Sequence, residues 1–423
     1  MTLVAVFDAG KTRLKLTLVG PKGEVVHSVS TTSGAVEGPL PGLDIERAEA
    51  FLVHALSDAA RRFPVSAIVP VGHAAAAVWT RDGRAVAPPL DYEAAPPKHV
   101  SAPYEAQRPA FGETYSPTLP LGLNLGRQLA WVEQSAPEIS AAADSLVLWP
   151  QYWALRLSGQ AASEVSSLGS HTDLWAPVER GWSSMAKRRG WAERFAPLAA
   201  ADTVLGLTQG PLAKAAGLNA DIRVLCGAHD SNAALQAARL SGQMDHGAAL
   251  VSTGTWTVVL ALSGQLSHLN PARDCLANVA IDGQAVPTAR FMGGKEYALI
   301  AGESPVEPTR EACAALVSRG VRTVPPFAAA GPFMAACAGR IEGEPDGAAE
   351  RAALATLHCA LMIDYCLDLV GAHGATLIEG PLTRNLLAPG LLAAISGRPV
   401  MLCADDGVSL GAASLALGSS VAD

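Results

Sequence analysis

The segment up to Val19 constrains the fold most, because two apolar runs there flank a short polar turn. Residues 3–7 form an uninterrupted apolar run, which is typical of a strand buried on both faces. After the turn at residues 8–12, apolar side chains recur at every second position, which is the period of a β-strand. A Gly-Pro-Lys-Gly turn and another strand at residues 24–30 follow. The chain therefore opens with three consecutive strands joined by turns.

The same arrangement recurs in the second half of the chain. Residues 248–252 and 257–262 predict two strands around the polar turn Thr253-Gly254-Thr255. This is not a sequence repeat, but two domains that share one architecture would produce it. At roughly 100–200 residues per domain, 423 residues form two or three domains. We place the boundary near residue 240, which divides the chain into an N-terminal domain (1–240) and a C-terminal domain (241–423).

Strand and helix patterns alternate through the rest of the chain, which predicts a mixed α/β fold. Eight prolines mark an irregular region over residues 87–121. Helices are predicted over residues 45–62, 126–134, 149–157, 231–239, 350–369, 386–396 and 409–417. Further strands are predicted over residues 67–71, 222–226, 375–379 and 399–402.

Composition narrows the class of protein. Lys and Arg number 31 against 39 Asp and Glu, so the net charge of −8 argues against a nucleic-acid partner. The seven cysteines include no CxxC pair, which argues against zinc and fits reduced thiols in the cytoplasm. The N-terminus lacks the basic region of a signal peptide, and the uncharged stretch 247–271 is interrupted by polar residues. We expect a cytoplasmic protein without a membrane segment.

The turn at residues 8–12 reads Asp-Ala-Gly-Lys-Thr, but it is not a P-loop. A P-loop requires Gly where Ala5 stands, and its Lys-Thr must open a helix rather than a strand. A turn between strands can still hold phosphate through backbone N–H groups and the Thr12 hydroxyl. Asp8 would then hold Mg²⁺ through water, because Mg²⁺ keeps much of its hydration shell. The alternative is an ordinary hairpin whose Asp caps the turn.

The turn of the second hairpin, Ser252-Thr253-Gly254-Thr255-Trp256, is also a candidate phosphate loop. Small hydroxyl residues around Gly let backbone amides approach phosphate oxygens closely. A tight hairpin turn without a ligand is the alternative. The pairing of two such loops, one opening each half of the chain, favours phosphates held from two sides.

Two further motifs each follow a predicted strand and precede a helix. In Gly227-Ala228-His229-Asp230, the carboxylate could take the proton of a substrate hydroxyl during attack on a γ-phosphate. Alternatively, Asp230 only caps the next helix. We assign His229 a substrate contact. The segment from Glu379 through Gly380 to Asn385 could hold a nucleobase or ribose, with Asn385 as a polar contact, or it is a simple strand-to-helix connection.

These four motifs, in this order, resemble the FGGY carbohydrate kinase family over nearly the whole chain. The residues that carry the resemblance are Asp8, Gly10, Thr12 and Lys15, then Pro150, Tyr152 and Gly159, then Gly227 and Asp230, Thr253, Gly254 and Thr255, and Gly380 and Asn385.

The resemblance implies two actin-like (ribonuclease H-like) ATPase domains of the α/β class that flank a catalytic cleft. It implies a kinase that uses ATP and Mg²⁺, with Asp230 as the catalytic base. Residues implied to bind the nucleotide phosphates or adenosine are Asp8, Gly10, Lys11, Thr12, Lys15, Thr253, Gly254, Thr255, Gly380 and Asn385. Residues implied to bind the sugar hydroxyls are Gly72, His73, Asp91, His229 and Asp230.

Two features resemble the family's kinases of 6-deoxyketohexoses, rhamnulose and fuculose: the His before the catalytic Asp and the Trp after Gly-Thr. These features imply transfer to the C1 hydroxyl of a ketose. The chain departs from the family in its Gly-Pro-Leu adenosine loop and in Gln128, where Lys is usual. A pentulose, a polyol such as glycerol, or a sugar acid is the first alternative substrate. A non-catalytic sugar-binding regulator is the second alternative and an ATPase with a protein client the third, and a homodimer stays open.

Overall fold

The computed structural model describes residues 2–244, 247–302, 306–333, 338–403 and 406–418. The chain divides into two compact units. The first unit contains the residues up to Ser241, the segment Asn278–Ala285 and the residues from Val408 onward. The second unit contains Gly242–Ala277 and Val286–Gly407.

The first unit contains a large sheet, several short strand pairs and the helices that cover them. Its strands are β1 (Leu3–Ala9), β2 (Arg13–Val19), β3 (Val25–Thr32), β4 (Ala35–Val36), β5 (Gly42–Leu43), β6 (Val65–Gly72), β7 (Ala77–Arg81), β8 (Arg84–Ala85), β9 (Ser145–Leu148), β10 (Trp175–Ala176), β11 (Gly181–Trp182), β12 (Val204–Leu207), β13 (Arg223–Leu225) and β14 (Ala228–His229). Its helices before Ser241 are α1 (Ile45–Arg62), α2 (Lys98–Glu105), α3 (Phe111–Thr114), α4 (Leu125–Ser135), α5 (Pro137–Ala142), α6 (Trp149–Ser158), α7 (Val165–Leu168), α8 (Ser184–Arg188), α9 (Pro211–Ala215) and α10 (Asp230–Leu240).

The large sheet has the strand order β12-β13-β6-β1-β2-β3, and β14 also pairs with β6. The first three strands form the predicted antiparallel meander, with Asp8 opposite Lys15 in the β1–β2 pair. Strands β6, β13 and β14 run parallel to β1. This arrangement matters for the site, because the carboxyl ends of β1, β6 and β14 meet at one edge of the sheet.

Helix α1 crosses from the meander to β6 and has the predicted bounds. The Asp44 side chain accepts a hydrogen bond from the Arg47 amide and caps the N-terminus, while Arg61 and Arg62 in the last turn complement the helix dipole. The buried face of α1, which includes Leu52 and Leu56, packs in one apolar cluster with Phe7 and Leu16 of the sheet.

The second unit repeats this plan. Its elements are β15 (Ala249–Thr253), β16 (Thr257–Ala261), β17 (Cys275–Val279), β18 (Ala285–Phe291), α11 (Gly293–Ala301), α12 (Arg310–Arg319), β19 (Arg322–Val324), β20 (Arg340–Glu342), α13 (Gly347–Leu369), β21 (Thr376–Glu379), α14 (Ala388–Ser396) and β22 (Val400–Leu402). Its sheet has the order β17-β18-β16-β15-β21-β22, with β16 antiparallel to β15 and β18, and β21 parallel to β15 and β22. The predicted second hairpin is confirmed.

Two of the helices are strongly apolar. Helix α13 is long and apolar enough to cross a membrane, but 67% of its most apolar window is buried inside the protein, as in the core helix of a globular unit. Helix α15 (Gly407–Leu417) returns to the first unit, where Ala412 and Ala413 pack in one cluster with Val4 and Val6 of β1.

The proline-rich region that we predicted to be irregular contains helices α2 and α3. Pro103 lies inside α2, although proline removes a backbone hydrogen bond from a helix interior. Tertiary contacts outweigh that loss: Tyr104 is buried, and its hydroxyl donates a 2.5 Å hydrogen bond to Asp173 Oδ2. Arg108 holds the same carboxylate with two N···O distances of 2.8 Å.

Candidate active site

Three parallel strand ends bring the first group of candidate residues together. Ala9 of β1 lies opposite Gly72 of β6, and Gly72 lies opposite His229 of β14. The turn after Asp8, the Gly72-His73 pair and Asp230 therefore share one edge of the sheet. Sequence analysis predicted each of these three segments, and the strand register explains how they meet.

Gly227 makes the approach of β14 to β6 geometrically feasible. Its φ is +77°, and a Cβ at this position would lie 1.8 Å from the Pro70 carbonyl oxygen. Only glycine has the positive φ and the absent side chain that this contact requires. The tight turn at Gly227 delivers Asp230 to the end of β6.

Asp230 is the first residue of α10, and the N-cap is His229, which makes no side-chain capping bond. The Asp230 Oδ1 atom accepts a hydrogen bond of 2.5 Å from the Ser231 amide and lies 3.1 Å from His229 Nε2. Oδ2 accepts no hydrogen bond from any residue that the structure describes. The side chain is 26% exposed, so Oδ2 remains available to a ligand.

His229 is buried, and both of its ring nitrogens have partners within the first unit. Besides the Asp230 contact of Nε2, Nδ1 lies 2.9 Å from Asn232 Nδ2 and 3.1 Å from Ser170 Oγ. Burial lowers the pKa of His229, and the Asp230 carboxylate opposes that effect. Below this ring, Ser166 Oγ accepts the His229 backbone N–H and donates to the buried Glu164 carboxylate at 2.6 Å.

His73 directly follows Gly72 at the end of β6, and Asp91 lies beside the β1–β2 turn. His73 is buried, its Nδ1 lies 3.1 Å from the Ala74 carbonyl oxygen, and its ring packs edge-on against Tyr92. Burial lowers the pKa of His73, while the Ala74 carbonyl and the Asp230 charge oppose that effect. Asp91 Oδ2 pairs with Lys11 Nζ at 2.7 Å.

A cavity of about 430 Å³ lies beside Asp91, and its lining includes Glu93 and Trp131. Gln128, where the family usually has Lys, donates from Nε2 to the carbonyl oxygens of Ala75 at 2.6 Å and Gly122 at 2.7 Å. Gln128 thus fixes the backbone that follows His73.

The β1–β2 turn carries the residues predicted to hold phosphate and magnesium. A Cβ on Gly10 would lie 2.8 Å from the Arg13 carbonyl oxygen, so the turn is tight enough to require glycine. Asp8 and Lys15 face each other across the hairpin, and Lys11 and Thr12 lie within the turn. The part of the chain that the structure describes holds no cluster of three or more metal-ligating side chains. A single carboxylate such as Asp8 fits Mg²⁺ that keeps water and phosphate oxygens as its other ligands.

The second group of candidates lies in the second unit, around a cavity of about 510 Å³. The cavity lining includes Thr253, Gly254 and Asn385 among the predicted residues. Gly380 packs closely against Thr253 of the cavity wall: its φ is +83°, and a Cβ on Gly380 would lie 2.1 Å from the Thr253 carbonyl oxygen. Thr255 neighbours the lining, because a Cβ on Gly294 would lie 3.3 Å from its Cα.

The Asn385 side chain is occupied by the protein itself. Its Nδ2 donates to Thr356 Oγ1 at 2.8 Å, and its Oδ1 accepts from the amides of Leu387 and Ala388 at 3.1 and 3.2 Å. Asn385 therefore shapes the cavity wall and starts α14.

Sequence analysis missed the part of this cavity that α11 supplies. Gly293 and Gly294 open the helix, and Tyr297 lies one turn later on the cavity wall. The Gly294 amide donates to the Gly254 carbonyl oxygen at 3.1 Å, so α11 begins directly against the predicted phosphate loop. The sequence did contain a signal for this wall: Gly293-Gly294 lies between a strand and a helix, and the N-termini of helices bind anions.

Comparison with known proteins places this geometry in a family. Residues 245–422 match the model "Carbohydrate kinase FGGY, C-terminal domain", and residues 118–236 match "FGGY family of carbohydrate kinases, N-terminal domain". The crystal structure of a carbohydrate kinase from Novosphingobium aromaticivorans is 38% identical, with a TM-score of 0.87 over 98% of this chain and 91% of that chain. The chain belongs to the FGGY family of carbohydrate kinases.

This FGGY kinase also shares its fold with more distant structures. Xylulose kinase and gluconate kinase from Lactobacillus acidophilus are each 14% identical, with TM-scores of 0.83 and 0.81 over 99% of this chain and 89% of theirs. No curated protein matches the chain. The predicted two-domain, actin-like ATPase fold is confirmed, and so is the family. FGGY kinases use ATP, and the protein is a carbohydrate kinase.

Proposed function

We propose that this FGGY kinase transfers the γ-phosphoryl group of ATP to a hydroxyl of a neutral ketose, with Asp230 as the general base. The observation that carries the proposal is the position of Asp230 at the shared edge of β1, β6 and β14, with Oδ2 available and Oδ1 held. Asp230 Oδ2 accepts the proton of the sugar hydroxyl while the hydroxyl oxygen attacks the γ-phosphorus of ATP, and ADP leaves. Such general-base action contributes roughly 10²–10⁴-fold to rate.

We assign the sugar to the N-terminal domain (1–240) and the nucleotide to the C-terminal domain (241–423). Gly72, His73 and Asp91 line the sugar side, and Asp91 keeps Lys11 in place. Thr253 and Gly254 contact the phosphates, while Tyr297 supports the adenosine.

Magnesium is part of the proposal. Asp8 would hold Mg²⁺ through water, and the ion would neutralise charge on the phosphates. The hydroxyl of Thr12 and the amides of its turn bind phosphate oxygens, and Lys15 lies opposite Asp8 in the β1–β2 pair.

The charges at the sugar side favour a neutral acceptor. The ammonium of Lys11 faces the carboxylates of Asp91 and Glu93, and the charge of Asp230 also acts on the neighbouring His73. These three carboxylates outnumber the one ammonium, so their net negative charge repels a sugar acid, and carboxylate oxygens accept hydrogen bonds from hydroxyl groups. We retain a 6-deoxyketohexose such as L-rhamnulose or L-fuculose as the preferred substrate, phosphorylated at C1, with a pentulose or polyol as the alternative.

The test is ADP release from ATP·Mg²⁺ across a panel of ketoses, polyols and sugar acids. One neutral ketose should stimulate ADP release strongly, and Asp230→Ala should abolish the stimulation. Asp221→Ala, which removes an exposed carboxylate elsewhere in the first unit, should retain full activity. Stimulation by a sugar acid alone would overturn the neutral-substrate proposal. Binding of ketose and ADP without turnover would favour a sugar-binding regulator.

A further inference from the structure

We infer that Gln151 is a positioning residue for the reaction: its carboxamide holds the backbone turn at Cys226–Gly227 and so fixes the place of Asp230. Gln151 lies in the first turn of α6, which contains none of the residues assigned to the site. The side chain is fully buried, so it acts through the backbone that it holds. The inference rests on the proposed role of Asp230 as the general base.

The first turn of α6 contacts all three strand ends that meet at the candidate site. The Trp149 indole N–H donates to the Ala9 carbonyl oxygen, at the end of β1, at 2.9 Å. The Trp149 amide donates to the Ala76 carbonyl oxygen, just past β6, at 3.1 Å. A Cβ on Gly72 would lie 3.0 Å from Trp149 Cδ1, so this strand end also packs on the helix. Gln151 makes the third link, to the residues that precede β14.

The carboxamide of Gln151 bridges two consecutive carbonyl groups. Its Nε2 donates to the carbonyl oxygens of Cys226 at 3.2 Å and Gly227 at 3.1 Å. A carboxamide nitrogen carries two hydrogens, so one group can serve both acceptors. Consecutive carbonyl groups of an extended strand point in opposite directions, and the φ of +77° at Gly227 breaks that pattern. The turn that requires glycine is therefore also the turn that one side chain holds.

Backbone hydrogen bonds hold the other polar groups of this turn. The Cys226 amide donates to the Thr203 carbonyl oxygen at 2.9 Å, and the Gly227 amide donates to the Ala201 carbonyl oxygen at 3.0 Å. The hydrogen bonds from Gln151 come from a side chain, so a substitution can remove them and leave these backbone bonds in place. Without Gln151, two buried carbonyl groups lose their donor, and the turn has a reason to shift.

Regular structure connects the turn to Asp230. Ala228 and His229 pair with Val71 and Gly72 of β6, and Asp230 is the first residue of α10. A shift of the turn is therefore passed on to the carboxylate. Misplacement of a reacting group by about 1 Å can lower a rate roughly 100-fold, which gives a residue outside the site a kinetic role.

Kinetics of Gln151→Met and Gln151→Asn test the inference, with D-xylulose, L-rhamnulose and glycerol as acceptors at saturating ATP·Mg²⁺. Methionine has nearly the length and shape of glutamine but donates no hydrogen bond, so Gln151→Met should lower kcat roughly 10- to 100-fold. The KM for ATP should stay within about threefold, because the nucleotide is assigned to the second unit. Gln151→Asn, whose carboxamide is one methylene too short, should lower kcat in the same direction.

Leu155→Ala is the matched control for lost stability. Leu155 is buried on the same helix, and its truncation leaves a cavity but removes no hydrogen bond to the turn. Leu155→Ala should lower the urea midpoint at least as far as Gln151→Met, with kcat within about twofold of the wild type. A fall in kcat that both variants share would overturn the inference, because lost stability alone would then explain it.

Hydrogen–deuterium exchange gives a readout that does not depend on turnover. Exchange at the Cys226 and Gly227 amides should be roughly tenfold or more faster in Gln151→Met than in Leu155→Ala. Equal exchange would overturn the inference, and if no acceptor reacts, this result alone decides whether Gln151 holds the turn. If Asp230→Asn is inactive while Gln151→Met keeps the wild-type kcat, only this inference falls. If Asp230→Asn is fully active, the base assignment falls with it.

Discussion

Lys11 Nζ lies 2.7 Å from Asp91 Oδ2, and Glu93 Oε2 lies 4.0 Å from the same ammonium. The Lys11 and Asp91 side chains are only 16% and 14% exposed, so solvent screens this pair less than a surface ion pair. The pair ties the β1–β2 turn, which we propose as the first phosphate loop, to the proposed sugar side of the first unit, and it neutralises a cation that would otherwise attract an anionic substrate.

Asp91→Asn should therefore relax discrimination against sugar acids. Removing one charge near the acceptor should raise the ratio of kcat/KM for D-gluconate to kcat/KM for D-xylulose roughly tenfold. Glu93→Gln is the matched control, because the Glu93 side chain is 48% exposed and should change the ratio much less. An unchanged ratio in Asp91→Asn would show that the charge of this carboxylate does not select the substrate.

Gly227→Ala should destabilise the first unit and abolish activity. The added Cβ would lie 1.8 Å from the Pro70 carbonyl oxygen, in a backbone conformation with φ of +77°. Gly217→Ala separates the two effects, since its φ is +65° but no atom lies within 4 Å of the added Cβ. Urea unfolding should show a loss of about 1 kcal/mol for Gly217→Ala and roughly 3 kcal/mol or more for Gly227→Ala. Equal losses would mean that strand β14 moves to accommodate the methyl group.

Glu164 should make the stability of the protein fall as pH rises toward neutrality. Burial raises the pKa of Glu164 to about 7, although hydrogen bonds from Ser166 and Ser167 oppose that effect. The folded state therefore binds a proton that the unfolded state has lost, so stability is full below the unfolded pKa near 4.5 and declines up to pH 7. Between these limits, Glu164→Gln should gain up to roughly 3 kcal/mol relative to the wild type. Denaturant unfolding of both proteins between pH 4.5 and pH 7 measures this difference in the free energy of unfolding. A difference that stays constant with pH would contradict the prediction.

Gly294→Ala should weaken nucleotide binding. A Cβ on Gly294 would lie 2.3 Å from the Gly254 carbonyl oxygen, so the start of α11 must move away from the proposed phosphate loop at Thr253–Thr255. Gly390→Ala in α14 is the control, because no atom lies within 4 Å of its Cβ, and it should stabilise its helix by up to about 1 kcal/mol. Calorimetry with ADP should show a loss of affinity of roughly tenfold or more in Gly294→Ala alone. Unchanged affinity would remove Gly294 from the binding surface.

Sequence analysis succeeded where the physical signal is local. The capping residue Asp44 and the basic last turn define both ends of α1, and alternation of apolar residues defines the first hairpin. Residues 231–239 were predicted as a helix, and α10 begins one residue earlier, at Asp230. These signals act within a few residues, which is why a single sequence contains them.

The rest depends on which strands become neighbours. Lys11 meets Asp91 across 80 positions, and the strand register that brings Gly72 beside His229 is absent from any local pattern. Helix α2 forms in spite of Pro103 because Asp173, far along the chain, fixes its last turn. Such contacts arise only when the whole sheet has assembled.

Helix α15 has a consequence for the order in which the protein folds. Ala412 and Ala413 belong to the same core as Val4 and Val6, so the first unit is built from both extremes of the described chain. During synthesis, β1 leaves the ribosome long before the residues that cover it, and the second unit is translated in between. This face of the first unit's sheet therefore lacks part of its cover until residue 418 has emerged, and a fragment that stops at residue 240 would keep the packing of Ala233 but lack that of α15.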